Sequence, residues 1–254
     1  MRKPVMAGNW KMNGSIEHSK DFIDNFSVEE EFIEKNEIII CPPSTLLAFW
    51  NDYGKKKLPY IKIGAQNCYW EPKGAYTGEL SVGMLKEAGC YCCIIGHSER
   101  RAYFGETDEN VNKKMNALMD AGIVPIVCVG ETLEQREADK TKEVVLGQVM
   151  GSVIASKDRD LKGVIIAYEP VWAIGTGKTA TNEQAEEVCS MIRALLKEEL
   201  GQEAAEAIRI QYGGSVNVGN VDDLMAQPNI DGGLVGGASL KAADFSRLAS
   251  FIEK

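Results

Sequence analysis

The stretch VIIAYEPVWAIGTGKTA, residues 164–180, admits two readings that lead to different folds. Its Gly177-Lys178-Thr179 looks like the end of a phosphate-binding P-loop, which would place the chain among open-sheet nucleotide hydrolases. That motif needs a glycine five residues before Gly177, and position 172 is Trp. A P-loop helix also begins at its Lys, whereas the helix-start signal here, Thr181 with Gln184 three residues on, comes later. The other reading takes residues 164–169 as a strand buried on both faces and residues 170–180 as a hinged lid. The lid has a rigid Pro170, an apolar cover of Val171, Trp172 and Ile174, and small residues at its far end.

Seven more runs of the same kind extend outward from this one: VMAGNWK, EIIIC, IKIGAQN, CCIIGH, IVPIVCVGE, IRIQYGG and GLVGGA. They are nearly continuous in apolar residues and rich in Ile and Val, as strands of a parallel sheet are when helices cover it. Marked at residues 9, 41, 66, 97, 128, 169, 212 and 236, they lie 24 to 43 residues apart, enough for one helix and two short loops each. Between two of them, TNEQAEEVCSMIRALLKEEL sets Ala185, Val188, Cys189, Ile192, Leu195, Leu196 and Leu200 on one helical stripe. No linker or composition shift divides the chain. Eight such units in residues 1–254 predict a single-domain α/β fold, a closed (β/α)8 barrel of eight parallel strands, with a doubly wound open sheet as the alternative.

Composition narrows the function. At 254 residues, 44% hydrophobic and 26% charged, the chain reads as globular with a substantial core, and no run is long enough to cross a bilayer. A net charge of −9 argues against nucleic acid or an acidic membrane as a partner. Asn9, Lys11 and Asn13 interrupt the N-terminus too early for a signal peptide. Seven cysteines, an odd count, read as reduced thiols of a cytoplasmic protein. Cys90, Cys92 and Cys93 suggest a metal site, but no second Cys/His pair follows at ligand spacing, so no metal is expected.

In a barrel the chemistry belongs where strands end, and polar residues concentrate there. Asn9 and Lys11 follow the first run, alternating so that both point to one side if the chain is extended. His97 follows the fourth with Ser98, Glu99, Arg100 and Arg101, a charge density that a plain turn does not need. Glu169 follows the sixth, partly desolvated, which raises its pKa and makes it a better base at neutral pH. YGGSVNVGN (212–220) and LVGGASL (234–240) follow the seventh and eighth, where barrels often bind phosphate through glycine N–H groups.

GNWKMNG, AQNCYWEPKGAYTGE, IIGHSERR, CVGETLEQRE, AYEPVWAIGTGKTA, YGGSVN and DGGLVGGASL together resemble the triosephosphate isomerase family, in that family's order, from about residue 4 to 253. The resemblance implies the TIM barrel and the interconversion of dihydroxyacetone phosphate and glyceraldehyde 3-phosphate, as in glycolysis and gluconeogenesis, without metal or organic cofactor. It makes Glu169 the catalytic base, His97 a neutral electrophile, Lys11 and Asn9 substrate-binding residues that stabilise developing charge, and Glu99 the support for Lys11. Gly175, Ser215, Gly236 and Gly237 match backbone contacts to the substrate phosphate. Residues 66–79 resemble the loop that inserts into a second subunit, with Thr77 reaching the partner's site, which implies a homodimer. This family is the type case for both pKa tuning and lid closure.

Three positions depart from the resemblance: Cys92 and Cys93 stand where aliphatic residues are common, Asn217-Val218 replaces a frequent Lys-Pro, and Cys41 is unusual at the end of its strand. None falls on a residue assigned to chemistry. Two rival functions remain, a barrel acting on another sugar phosphate and a phosphometabolite binder without catalysis. A pure binder has no need of a base, so Lys11, His97 and Glu169 argue against the second.

Overall fold

The computed structural model describes residues 2–174 and 179–252. Eight strands form one closed barrel in chain order. They are β1 (Val5–Asn9), β2 (Glu37–Cys41), β3 (Lys62–Ala65), β4 (Cys92–Ile95), β5 (Val124–Val129), β6 (Ile165–Tyr168), β7 (Arg209–Tyr212) and β8 (Gly232–Val235). Every pair is parallel, and β8 returns to β1 through Val5–Gly232 to Gly8–Val235. All eight runs form strands, and the open-sheet alternative is excluded by this closure.

The reason the runs are apolar without a break is visible in the two cores. Val5, Ala7, Ile39, Ile94, Ile126, Ile165 and Ala167 fill the barrel interior. Their neighbours Met6, Ile38, Ile40, Ile95, Val127 and Ile166 pack outward against the helices. Alternate residues thus face two different apolar layers. The helix Asn182–Leu200 starts with the expected capping box at Thr181 and buries Ala185, Val188, Cys189, Ile192 and Leu196. Arg193, on the same face, is also buried and reaches Asp231.

The β7–β8 seam pairs at one position, Tyr212 with Gly233. Gln211, fully buried inside the barrel, closes it further by donating to the carbonyls of Val5 and Gly233 (3.1 Å each).

The unusual cysteines have a packing reason. A Cβ on Gly64 would lie 2.4 Å from Cys41 Sγ and 2.7 Å from Cys92 Sγ, so the two sulfurs fill the space that this glycine leaves. All seven thiols are free and buried. A hydrogen bond from Cys92 and burial push Cys41 up, burial pushes up Cys93 and Cys128, and burial takes Cys90 to about 12. Since the thiolate is the reactive form, the native protein is expected to label fewer than about one thiol per chain with iodoacetamide at pH 8, while a urea-unfolded control labels all. Rapid labelling of two or more native thiols contradicts this packing.

Candidate active site

The C-terminal ends of the strands open into a cleft of about 390 Å³, lined by Asn9, Lys11, His97, Glu169, Ser215, Gly236 and Gly237 among others. Seven of the nine residues expected at the site therefore meet in one cavity. Glu99 lies in a neighbouring cleft that shares Asn9, Lys11 and His97, and Gly175 lies outside the described residues.

Glu169 follows β6 and is only 2% exposed. Its Oε2 accepts the Ser98 N–H (3.0 Å) and its Oε1 lies 2.9 Å from His97 Nε2. Two glycines make room for it. A Cβ on Gly213 would come within 2.9 Å of its Cγ, and one on Gly130 would overlap its backbone oxygen at 1.7 Å.

His97 caps the helix Ser98–Phe104, and its Nδ1 accepts the Glu99 N–H at 3.2 Å. An acceptor Nδ1 leaves the proton on Nε2, so the neutral ring donates to Glu169. The residue before it, Gly96, has φ +67 and is held on both sides. Glu106 accepts its N–H (3.2 Å) and Arg101 Nε donates to its carbonyl (2.8 Å). Arg101 also donates to the Cys128 carbonyl at 3.2 Å, joining the ends of β4 and β5. Glu106 in turn pairs with the buried Lys114, which donates to Asn67 Oδ1 (2.8 Å) at the start of the 66–79 loop.

Lys11 reaches the cleft differently from the expected extended alternation. Its backbone is left-handed, at φ 52, because Asn9 Oδ1 accepts its N–H (3.0 Å) and turns the chain. Gln66 fixes the turn by donating to the carbonyls of Lys11 (2.9 Å) and Cys41 (2.8 Å). Lys11 Nζ then lies 2.6 Å from Glu99 Oε1.

The expected upward shift of the Glu169 pKa is reversed. Burial does raise it, but the His97 ring, the Ser98 N–H and the Lys11 charge together hold the carboxyl below its ordinary range. For His97, burial works downward and the adjacent Glu169 carboxylate outweighs it upward, with Lys11 opposing. Sequence position reveals that Glu169 is desolvated; it does not reveal which donors surround it.

Four contacts escaped the sequence reading: the Ser98 N–H, Gly213, the Cys128 thiol beside Glu169, and Glu131. Fully buried Glu131 takes three donors on Oε1: Tyr168 hydroxyl (3.1 Å), Trp172 Nε1 (3.0 Å) and Arg136 (3.1 Å). Its carbonyl accepts the Val171 N–H at 3.0 Å, so it holds the start of the segment that follows Glu169. The available signal was a carboxylate at the end of the fifth apolar run, one residue further past its strand than Glu169 is past the sixth.

Among the described residues, no three His, Cys, Asp or Glu side chains stand together as a metal site, and no helix is long and apolar enough to cross a membrane. A family model described as triosephosphate isomerase matches residues 4–252. A protein named triosephosphate isomerase from Acetivibrio thermocellus is 51% identical over 98% of both chains. One of that name from Herpetosiphon aurantiacus is 49% identical over 99% of this chain and 100% of its own, and one from Endomicrobium trichonymphae 51% identical over 99% of each. With the closed barrel and the cleft at its strand ends, these matches settle the lineage: the chain belongs to the triosephosphate isomerase family.

Proposed function

We propose that the chain, acting as one catalytic domain over residues 1–254, interconverts dihydroxyacetone phosphate and D-glyceraldehyde 3-phosphate through an enediolate, with no metal or organic cofactor. The observation that carries this reading is the facing pair in the cleft, a buried Glu169 carboxylate and a His97 whose Nε2–H points at it from 2.9 Å. Moving a proton between adjacent carbons needs one carboxylate that can serve both, and a donor for the oxygens that become charged.

Glu169 removes the proton from one carbon and returns it to the next. To do so it leaves His97 and Ser98 for the substrate. The contacts that lower its pKa are then lost while burial remains, so its basicity rises as it meets the carbon acid. The same movement removes the carboxylate that raises His97, so the imidazole stays neutral. Its Nε2 gives its proton to one enediolate oxygen and takes the hydroxyl proton of the other, which balances the transfer between the carbons. Lys11 supplies a positive charge, held in place by Glu99, and Asn9 fixes the turn that carries it. The backbone N–H groups of Ser215, Gly236 and Gly237, with Gly175 from the lid, grip the phosphate. Residues 170–180 close over the cleft, keep out water and prevent loss of phosphate from the enediolate.

A coupled assay on glyceraldehyde 3-phosphate with no added metal tests the proposal, and rapid turnover is expected. A folded protein that shows none overturns it.

The active form is a homodimer. Residues 72–79, Thr77 among them, are exposed. Met12, Tyr103 and Phe104 are 96%, 78% and 68% exposed beside the neighbouring cleft of about 460 Å³. The 66–79 loop of a second copy covers that apolar surface and brings Thr77 to Lys11 and Glu99. Sedimentation equilibrium is expected to give twice the chain mass, and a fully active monomer contradicts it. Seven unpaired cysteines support a cytoplasmic location, and the charge of −9 gives no reason to expect nucleic acid or a membrane as partner.

A further inference from the structure

The second histidine of the chain, His18, has no place in the proposed chemistry, yet it touches the loop that grips phosphate. Ser15 caps the helix Ile16–Asn25 by accepting the His18 N–H (3.1 Å), which sets the ring one residue pair inside the helix start. His18 Nε2 lies 2.8 Å from the Leu240 carbonyl, 222 residues away. A carbonyl can only accept, so Nε2 carries the proton; Nδ1 is buried with no hydrogen-bond partner among the described residues. The ring packs on Trp10 with centroids 4.8 Å apart, and Trp10 Nε1 donates to the adjacent carbonyl, that of Ser239, at 2.9 Å.

Two consecutive carbonyls of the turn Gly237–Leu240 are therefore held from behind by aromatic N–H donors. On its other side the turn presses on β1 where Gly8 has no side chain; a Cβ there would meet Ser239 Cβ at 2.8 Å. The front of the turn, Gly236 and Gly237, lines the cleft.

We infer that His18 is a positioning residue for phosphate binding: with Trp10, which itself lines part of the cleft, it sets the Gly236–Gly237 N–H groups, while the His18 ring lies outside the cleft lining and does not touch substrate. The inference rests on the isomerase reading and deepens its phosphate site. Loss of the donor lets the turn shift away from the anion, and ligands that share a phosphate group weaken together.

The test compares wild type with His18→Phe, which keeps a ring against Trp10 but no donor, and with His18→Gln, whose amide reaches as far as Nε2. Calorimetry gives the Kd of inorganic phosphate and the coupled assay gives KM and kcat. His18→Phe is expected to weaken inorganic phosphate and raise KM by the same factor, about three- to tenfold for one hydrogen bond, with kcat falling less. His18→Gln is expected to recover most of the loss. If His18→Phe does not fold, His18→Asn, too short to reach Leu240, takes its place.

Unchanged phosphate affinity in the variant, or a lower unfolding midpoint with unchanged affinity, overturns the inference. Wild type that binds phosphate without turning over triose phosphate overturns the isomerase reading instead, while the phosphate measurement still decides the role of His18.

Discussion

Glu169→Gln lowers turnover of glyceraldehyde 3-phosphate by about 10³-fold or more, the upper range for loss of a general base, while the fold and KM change little. The amide has the size of the carboxylate and still accepts the Ser98 N–H, so the packing against Gly213 and Cys128 is kept. It has no basic lone pair to take a proton from carbon. The variant is therefore expected to give a native circular dichroism spectrum, with an unfolding midpoint lowered modestly because the amide NH2 cannot accept from His97 Nε2. A variant retaining a tenth or more of wild-type kcat sinks the assignment.

The pH dependence of stability offers a second readout on the same residue. The folded-state pKa of Glu169 lies below its unfolded value, so its pairing contributes stability above the ordinary carboxylate range and loses it as pH falls through the lowered value. Glu169→Gln should flatten that part of the acid limb.

Lys114→Met lowers stability by about 3–5 kcal/mol, the usual cost of removing one member of a buried ion pair. Lys114 and Glu106 are 4% and 7% exposed. With the ammonium gone, Glu106 keeps the Gly96 N–H and a longer contact to Arg100 at 3.6 Å, which does not neutralise it as closely. The change also frees Asn67, which anchors the 66–79 loop. Urea unfolding at one fixed protomer concentration measures the effect, since dimerisation would make the midpoint depend on concentration. Because Glu106 also holds the peptide before His97, kcat is expected to fall alongside stability. A loss under 1 kcal/mol shows that the pair is solvated in solution.

Much of this protein was legible in its chain. Strands covered on both faces must be apolar at every position, so the eight runs predicted a closed parallel barrel, and closure places their C-terminal ends around one cleft. Thr181 and Gln184 marked a helix start because a capping box is a local hydrogen-bond pattern, complete within four residues. Asn9, Lys11, His97 and Glu169 stood out because polar residues at the ends of buried strands need a reason to be there. The resemblance to a known family added the assignment of roles.

What the chain did not disclose depends on contacts between distant residues. Whether Glu169 titrates above or below its ordinary range is a balance between burial, which a strand end implies, and donors such as Ser98, 71 residues away, which it does not. The turn at Lys11 is made by Asn9 two residues before it but fixed by Gln66, 55 residues on, and the tie of His18 to Leu240 spans 222 residues. Local pattern fixes periodicity and caps, because those forces act within a few residues. The direction of a pKa shift and the partner of a buried donor are decided only when the barrel closes and brings separate strand ends within hydrogen-bond reach.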